Sequence, residues 1–189
     1  TQMARIEIIE PENADEQLAK IYHEITGTRG KLPEVHKIQS LHPTSISAHM
    51  DLYKSVMFSS SPLSRAEREM MAVVVSAENG CAYCVEHHAQ ALNHFWKDRE
   101  RVYSLAEEGA NLPGLSKRER LLCAFSVAAT STPAESEVEA IQTELRTLGV
   151  DDRGLLDASL VVGYFNFVNR MVLTLGVTLE GDPGGYEYE

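Results

Sequence analysis

Two cysteines and a histidine with helical spacing are the residues best suited to chemistry. Cys81 and Cys84 are separated by two residues, and His88 follows four residues later. On a helix that turns by about 100° per residue, the three side chains fall within roughly 60° of one another. A thiol in the first helical turn lies near the positive end of the helix dipole, which favours the thiolate. The spacing therefore predicts an activated pair of thiols, with His88 as proton acceptor.

A carboxylate completes this predicted site. Glu69 precedes the cysteines, and the short connection at residues 79–80 lets its segment fold back on the cysteine helix. There it would orient and charge His88, forming a carboxylate, imidazole and thiol relay. A thiolate beside a second thiol attacks peroxide, becomes a sulfenic acid and condenses to a disulfide that a dithiol donor reduces. We predict a thiol-dependent peroxidase with Cys84, Cys81, His88 and Glu69 as catalytic residues.

A CxxC pair also has other uses. Zinc would need Cys81, Cys84, His88 and His94, but four ligands along one helix surround a tetrahedral ion badly, so we expect neither metal nor cofactor. Two inert buried thiols would leave Glu69 unexplained. A redox sensor that forms the disulfide without turnover, or a disulfide reductase, stays open as an alternative.

The elements that position these residues are predicted to be helices, so the fold class is all-α. Residues 3–10 alternate enough to be a strand or an extended arm. The β-branched residues 70–75 could form a strand, but a capping box at Ser64 and Glu67 favours a helix. The expected helices cover residues 18–25, 33–41, 43–58, 64–78, 81–95, 98–108, 116–130, 133–148 and 152–177.

An internal repeat separates the site from its scaffold. Residues 63–77 (LSRAEREMMAVVVSA) align without gaps on residues 115–129 (LSKRERLLCAFSVAA), and both copies contain a capping box. The same offset pairs Glu69 with Leu121, Cys81 with Pro133, Cys84 with Ser136 and His88 with Ala140. The first helical hairpin is therefore predicted to carry the reactive residues, and the second is predicted to be structural. Proline is favoured at the first position of a helix. Because Pro133 is the counterpart of Cys81, Cys81 is expected at the first position of its own helix.

This duplication predicts a single domain over residues 1–189. Its parts are an N-terminal helical part (1–62), the redox hairpin (63–95), the second copy with a C-terminal helix (96–179) and a loose tail (180–189). The last helix is apolar on most faces and is expected to be buried or to contact another subunit.

Composition and charge exclude several classes of function. A net charge of -11 would repel phosphate backbones, so nucleic acid is not an expected partner. We see no secretory signal pattern and no apolar run near the roughly 20 residues of a membrane span, which predicts a cytoplasmic protein without membrane contact. The odd number of cysteines, three, argues against a disulfide framework.

The run EREMMAVVVSAENGCAYCVEHH (67–88) resembles the AhpD-like motif of the carboxymuconolactone decarboxylase superfamily, and GYFNFVNRMVLTLGV (163–177) is similar to the closing segment of its peroxidase-related branch. The resemblance implies an AhpD-like helical bundle, homo-oligomers, and alkylhydroperoxidase activity fed by a lipoyl-domain or thioredoxin-like dithiol. It makes Cys84 the peroxide-reactive sulfur and Cys81 the more accessible resolving one. Helix-dipole reasoning alone makes Cys81 the more acidic thiol. Lactone decarboxylation is less favoured, because that branch does not rely on a CxxC pair.

One departure from the motif concerns the proton relay. Founding AhpD members carry a second histidine between the cysteines, where this chain has Tyr83, which predicts a slower peroxidase. His87 is expected to point away from His88. Outside the motif, Cys123 is expected in the core, and four histidines at the surface or in the core: His23, His36, His42 and His49. Asn166, Asn169 and Arg170 would bond across a subunit interface or satisfy buried backbone.

Overall fold

The computed structural model describes residues 4–181 and residue 183, and the regular secondary structure of this part of the chain is all helical, which confirms the all-α prediction. Two 3-10 turns, Pro11–Asn13 and Gly109–Asn111, accompany the helices. The helices are α1 (Glu16–Arg29), α2 (Glu34–Lys37), α3 (Pro43–Phe58), α4 (Arg65–Glu78), α5 (Ala82–Trp96), α6 (Arg99–Glu108), α7 (Lys117–Ser131), α8 (Ser136–Thr147) and α9 (Asp152–Leu175).

The N-terminal segment is an extended arm rather than a strand over its described residues. Arg5 donates its backbone N–H to the Leu175 carbonyl at 2.9 Å, and its guanidinium donates to the carbonyls of Leu173 and Thr174 at 2.8 Å each. These carbonyls belong to the last turn of α9, whose acceptors lack partners within the helix. The arm thus ties the N-terminal part to the C-terminal helix.

Helix α4 lies at the centre of the bundle. It begins with the predicted capping box: Ser64 Oγ accepts from the Glu67 N–H at 3.1 Å, and the Glu67 carboxylate accepts from the Ser64 N–H at 2.8 Å. It is buried without interruption from Arg68 to Ser76 and packs on α5, α7 and α9. Burial on all sides explains why this helix contains a run of apolar and β-branched residues that resembles a strand.

The turn between α4 and α5 is anchored to α9. Asn79 donates to the side-chain oxygens of Asn166 and Asn169 at 3.0 Å each, and Arg170 donates to Asn79 at 2.6 Å. Gly80 adopts a φ of 66°, a conformation that glycine accommodates without strain. In this chain, Asn166, Asn169 and Arg170 therefore position the start of the cysteine helix.

Most helix starts differ from the prediction by one to three residues, and two of these differences have a clear structural reason. Cys81 is the N-cap of α5, not its first residue, because its N–H is still bonded to the Ser76 carbonyl at 2.8 Å and so closes α4. Helix α8 begins at Ser136 rather than at residue 133, because α7 continues to Ser131 and the chain needs residues 132–135 to turn. The boundaries of the second hairpin copy are thus shifted slightly, although both capping boxes are present.

Helix α9 packs between α3, α4 and α7. At 24 residues and a mean hydropathy of 1.3, it is long and apolar enough to cross a membrane by those two measures, contrary to the expectation that no apolar run approaches this length. Core helices of water-exposed bundles meet the same two measures, and one face of α9 forms part of this core. Helix α9 also has four exposed apolar side chains, Leu156, Leu160, Phe167 and Leu173, of which the first three share one face.

Candidate redox site

Cys81 and Cys84 lie at the start of α5 and are hydrogen-bonded to each other. Cys81 is 1% exposed and Cys84 is 2% exposed, so neither sulfur reaches the surface. The expectation that Cys81 would be the more accessible of the two is therefore wrong for this conformation. The residues between them are fixed by the first turn of α5, which keeps the sulfurs on one side of the helix.

The two thiols have different pKa values. The hydrogen bond from the Cys84 thiol is the largest influence on Cys81, and together with the Asn169 side chain it lowers the pKa of Cys81 against the effect of burial. The same bond, followed by burial, raises the pKa of Cys84 well above its ordinary value. The first thiolate thus forms at Cys81, the sulfur that helix-dipole reasoning favours, with the remaining proton held by Cys84.

This arrangement predicts different effects for two substitutions of Cys84. In Cys84→Ala the donor to Cys81 is lost, so the pKa of Cys81 should rise. In Cys84→Ser a hydroxyl donor is kept, and the pKa of Cys81 should stay closer to that of the native protein. The ultraviolet absorbance of the thiolate against pH measures both. Equal titration curves for the alanine and serine variants would contradict the assignment.

Glu69 on α4 and His88 on α5 form a hydrogen-bonded pair in which the carboxylate is fully buried. Glu69 Oε2 lies 2.7 Å from His88 Nδ1, and Arg65 Nη2 donates to Glu69 Oε1 at 2.6 Å. Burial alone would raise the pKa of Glu69, but His88 and Arg65 outweigh it and hold that pKa below its usual value. Because the carboxylate is bonded to Nδ1, Nε2 of neutral His88 is the acceptor. Burial lowers the pKa of His88, with Glu69 partly offsetting the effect.

Cys84 and His88 line a small cavity of about 50 Å³, whereas Cys81 does not. His87 lines it too, and its Nε2 is hydrogen-bonded to Glu180. The wall is polar and aromatic, and it is formed mainly by α1, α2, α3, α5 and α9 through Arg29, His36, His49, Tyr53, Tyr83 and Tyr164. A larger cleft of about 540 Å³ between α4, α6 and α7 contains none of the four predicted residues.

Two of these histidines are buried and neutral. His49 Nδ1 is bonded to Gln39 Nε2 at 2.8 Å and His49 Nε2 to the Tyr164 hydroxyl at 2.7 Å. Burial, followed by the charge of Arg29, lowers the pKa of His49 to about 4. His36 Nδ1 is buried without a hydrogen-bond partner among the described residues, and burial lowers the pKa of His36 well below its usual value.

His49 predicts an acid-dependent loss of stability. Its pKa in the fold is about 4, against about 6.5 when unfolded, so between these values the unfolded chain binds a proton that the fold does not. The stabilisation is complete above pH 6.5 and is lost as the pH falls towards 4, at a cost of about 3 kcal/mol. Denaturant unfolding of His49→Gln should show a flatter pH dependence over this range. Parallel curves for the two proteins would contradict this assignment.

Residues 43–110, from the start of α3 to beyond α6, match the model of the carboxymuconolactone decarboxylase family. This segment contains Glu69, Cys81, Cys84 and His88. Residues 43–110 are therefore a carboxymuconolactone decarboxylase family segment of the AhpD-like kind. This match, together with the solved structures described next, which are named as peroxidase-related, confirms the sequence-based assignment to the superfamily and its branch.

Solved structures share this AhpD-like fold over nearly the whole chain. A peroxidase-related protein with an alkylhydroperoxidase AhpD core, from Ralstonia eutropha JMP134, has a TM-score of 0.83 at 24% identity, covering 97% of this chain and 95% of that one. A peroxidase-related protein from Silicibacter sp. TM1040 has a TM-score of 0.82 at 28% identity, with 94% and 92% covered. The uncharacterized protein YdfG of Bacillus subtilis (strain 168) is 25% identical over 134 residues, 71% of this chain and 88% of YdfG.

In this AhpD-like domain, Tyr83 and His87 hold the chain just beyond α9. Glu180 Oε1 accepts from the Tyr83 hydroxyl at 2.8 Å and from the Glu34 N–H at 2.7 Å, and Glu180 Oε2 lies 2.8 Å from His87 Nε2. Burial would raise the pKa of Glu180, but these partners lower it to about 2. Glu180 is therefore anchored, not the start of a loose tail. Residues 182 and 184–189 of that predicted tail lie outside the described residues.

The remaining thiol, Cys123, lies apart from this chemistry. Cys123 is fully buried in α7, as expected of a core residue, and burial raises its pKa to about 12. Over residues 4–181 and 183, no three histidine, cysteine or acidic side chains are grouped so that they could hold a metal ion.

Proposed function

We propose that this protein is a thiol-dependent alkyl hydroperoxidase that cycles Cys81 and Cys84 between dithiol and disulfide. The observation that carries the proposal is the division of the pair. Cys84 faces the cavity that His88 also lines, while Cys81 lies behind Cys84 and is hydrogen-bonded to it. The first sulfur is placed to meet a peroxide, and the second to resolve the product.

The positions of the two thiol protons are consistent with these roles of Cys84 and Cys81. The first proton leaves the pair for Nε2 of His88, whose imidazolium Glu69 stabilises across 2.7 Å. The other proton lies in the hydrogen bond between the sulfurs, and it moves from Cys84 to Cys81 as Cys84 attacks. The raised pKa of Cys84 makes its thiolate the more nucleophilic sulfur once it forms.

The covalent steps conserve atoms, protons and electrons. The Cys84 thiolate attacks one peroxide oxygen, the O–O bond breaks, and the leaving alkoxide takes the proton from His88 to become an alcohol. The Cys81 thiol attacks the Cys84 sulfenic acid, forming the disulfide and releasing water. A dithiol of the lipoyl or thioredoxin-like class returns two electrons and two protons to the pair.

The cavity offers the substrate an acceptor. His36 Nδ1 is buried at the wall with no partner among the described residues, and a buried acceptor without a hydrogen bond costs free energy. The hydroxyl group of a hydroperoxide can donate to it. The similarity to proteins described as peroxidase-related supports the same kind of substrate.

We also propose that the protein forms homo-oligomers through α9. The exposed apolar side chains of that helix recur at helical spacing: Leu156, Leu160 and Phe167. Such a stripe on a surface helix is the usual seam between helices of two subunits.

Steady-state peroxide consumption with dihydrolipoamide tests the enzyme against the redox sensor. The enzyme should consume many equivalents of peroxide, and Cys123→Ala should match the native protein, since Cys123 lies outside the site. Formation of one disulfide per chain without further turnover would refute the peroxidase and favour the sensor.

A further inference from the structure

We propose that Glu180 is a clamp that restricts the thiol cavity to small hydroperoxides, and that its release admits bulky ones. This inference rests on the proposed peroxidase function. It assigns to Glu180, which lies outside the redox hairpin, a role in substrate size selection and in access to the thiols.

The clamp joins two walls of the cavity. Its carboxylate accepts from the backbone of Glu34 on α2 and from Tyr83 on α5, and its second oxygen bonds His87 one turn further along α5. Tyr83 and His87 line the cavity, as do Pro33 and Val35 on either side of Glu34. Glu180 therefore links α2 to α5 at the cavity's edge.

Tyr83 adds a second link between the same walls. Its hydroxyl accepts from the Val35 N–H at 3.2 Å while donating to Glu180. Tyr83 therefore joins α5 to α2 through its own hydroxyl as well as through Glu180.

The small accessible volume of the cavity sets the size limit. A cavity of about 50 Å³ holds about three or four water-sized groups. Hydrogen peroxide or a short alkyl hydroperoxide fits this space, whereas the cumyl group of cumene hydroperoxide does not. A bulky substrate thus requires the walls to separate.

The catalytic cycle also requires opening. A dithiol donor must contact a sulfur of the disulfide, yet both cysteines are almost fully buried. Helix α2 has only four residues, and a helix this short has little stability of its own. Lys37 ties it to Glu10 at 3.0 Å, at its far end. Release of Glu180 removes its bonds to Glu34, Tyr83 and His87 and leaves the Val35–Tyr83 bond as a remaining link of α2 to α5 beside the cavity.

The test measures how fast the thiols react with reagents of two sizes. In the reduced protein, Glu180→Ala should increase labelling of Cys81 and Cys84 by a bulky fluorescein maleimide at least about tenfold, since one charge-assisted hydrogen bond is worth at least that factor. Labelling by iodoacetamide should change by less than about threefold, because the small reagent needs little opening. Peptide mass spectrometry separates these sites from Cys123.

Two further variants sharpen the result. Glu24→Ala removes an exposed carboxylate from α1 and should label like the native protein. Glu180→Gln keeps an acceptor oxygen and should fall between the native protein and Glu180→Ala. The clamp would be refuted if Glu180→Ala increased the labelling rates of both reagents equally, or if it increased neither rate.

The same proteins separate the clamp from the peroxidase. In single-turnover oxidation, Glu180→Ala should gain rate with cumene hydroperoxide and little with hydrogen peroxide. If neither peroxide oxidises the thiols while the maleimide still distinguishes the variants, the peroxidase function fails and the clamp stands as a gate for thiol reagents. If both peroxides oxidise the native thiols equally fast and Glu180→Ala changes neither rate, the size limit fails and the peroxidase stands.

Discussion

Replacing Cys84 by serine should reduce peroxide turnover at least about a thousandfold, because an un-ionised hydroxyl cannot attack the O–O bond. Cys84 is the sulfur that faces the cavity, so Cys81 is not placed to substitute for it. The variant should remain folded, since serine is smaller than cysteine and keeps a donor towards Cys81. Peroxide consumption with dihydrolipoamide, measured beside the circular dichroism spectrum, gives the comparison.

The matched variant Cys81→Ser should lose turnover for a different reason. Its Cys84 can still be oxidised, but no second thiol resolves the sulfenic acid, which should accumulate and be trapped by dimedone. A dimedone adduct on Cys81 in the Cys84→Ser protein, with none on Cys84 in Cys81→Ser, would reverse the assigned roles.

Glu69→Gln should have the second large effect, on both rate and stability. Glu69 is fully buried and bonded to Arg65 and His88, and breaking a buried ion pair costs about 3–5 kcal/mol. Without the carboxylate, the pKa of His88 falls further and its imidazolium loses its partner, which should slow peroxide reduction by about 10²–10⁴-fold. Denaturant unfolding and single-turnover oxidation measure the two effects.

The pH dependence of that stability difference has a defined sign. The pKa of Glu69 is lower in the fold than in the unfolded chain, so its contribution is present above the unfolded value and is lost as the pH falls through the folded one. The difference in the free energy of unfolding between the native protein and Glu69→Gln should therefore become smaller in acid. Glu78→Gln, an exposed carboxylate on the same helix, should cost no more than about 1 kcal/mol. A gap that is constant with pH would contradict the buried pair.

The redox hairpin could be predicted because its signals are local. Capping boxes, a two-residue connection and helical spacing determine where Cys81, Cys84 and His88 lie relative to one another. The internal repeat added the inward position of Glu69, through its apolar counterpart Leu121. These relations involve neighbours in sequence or a matched copy, so local patterns and the internal repeat were sufficient to predict them.

The rest of the cavity could not be predicted because it depends on contacts between distant segments. His36 and His49 lie more than 30 residues before the cysteines, and Glu180 lies 96 residues after Cys84 (180 less 84). A histidine at helical spacing looks the same in sequence whether it is exposed or buried against a thiol. Glu180 follows a glycine-terminated helix, where composition favours a loose end. Only the packing of α2 and α5 shows that it is bound.

The most direct test of the dithiol site is a thiol count after one equivalent of hydrogen peroxide is added to the reduced protein. The chain has three cysteines, and we expect two thiols to disappear and one to remain. Peptide mass spectrometry should place the disulfide between Cys81 and Cys84, with Cys123 still reduced. Three remaining thiols, or a disulfide that includes Cys123, would contradict a redox site built on the Cys81–Cys84 pair.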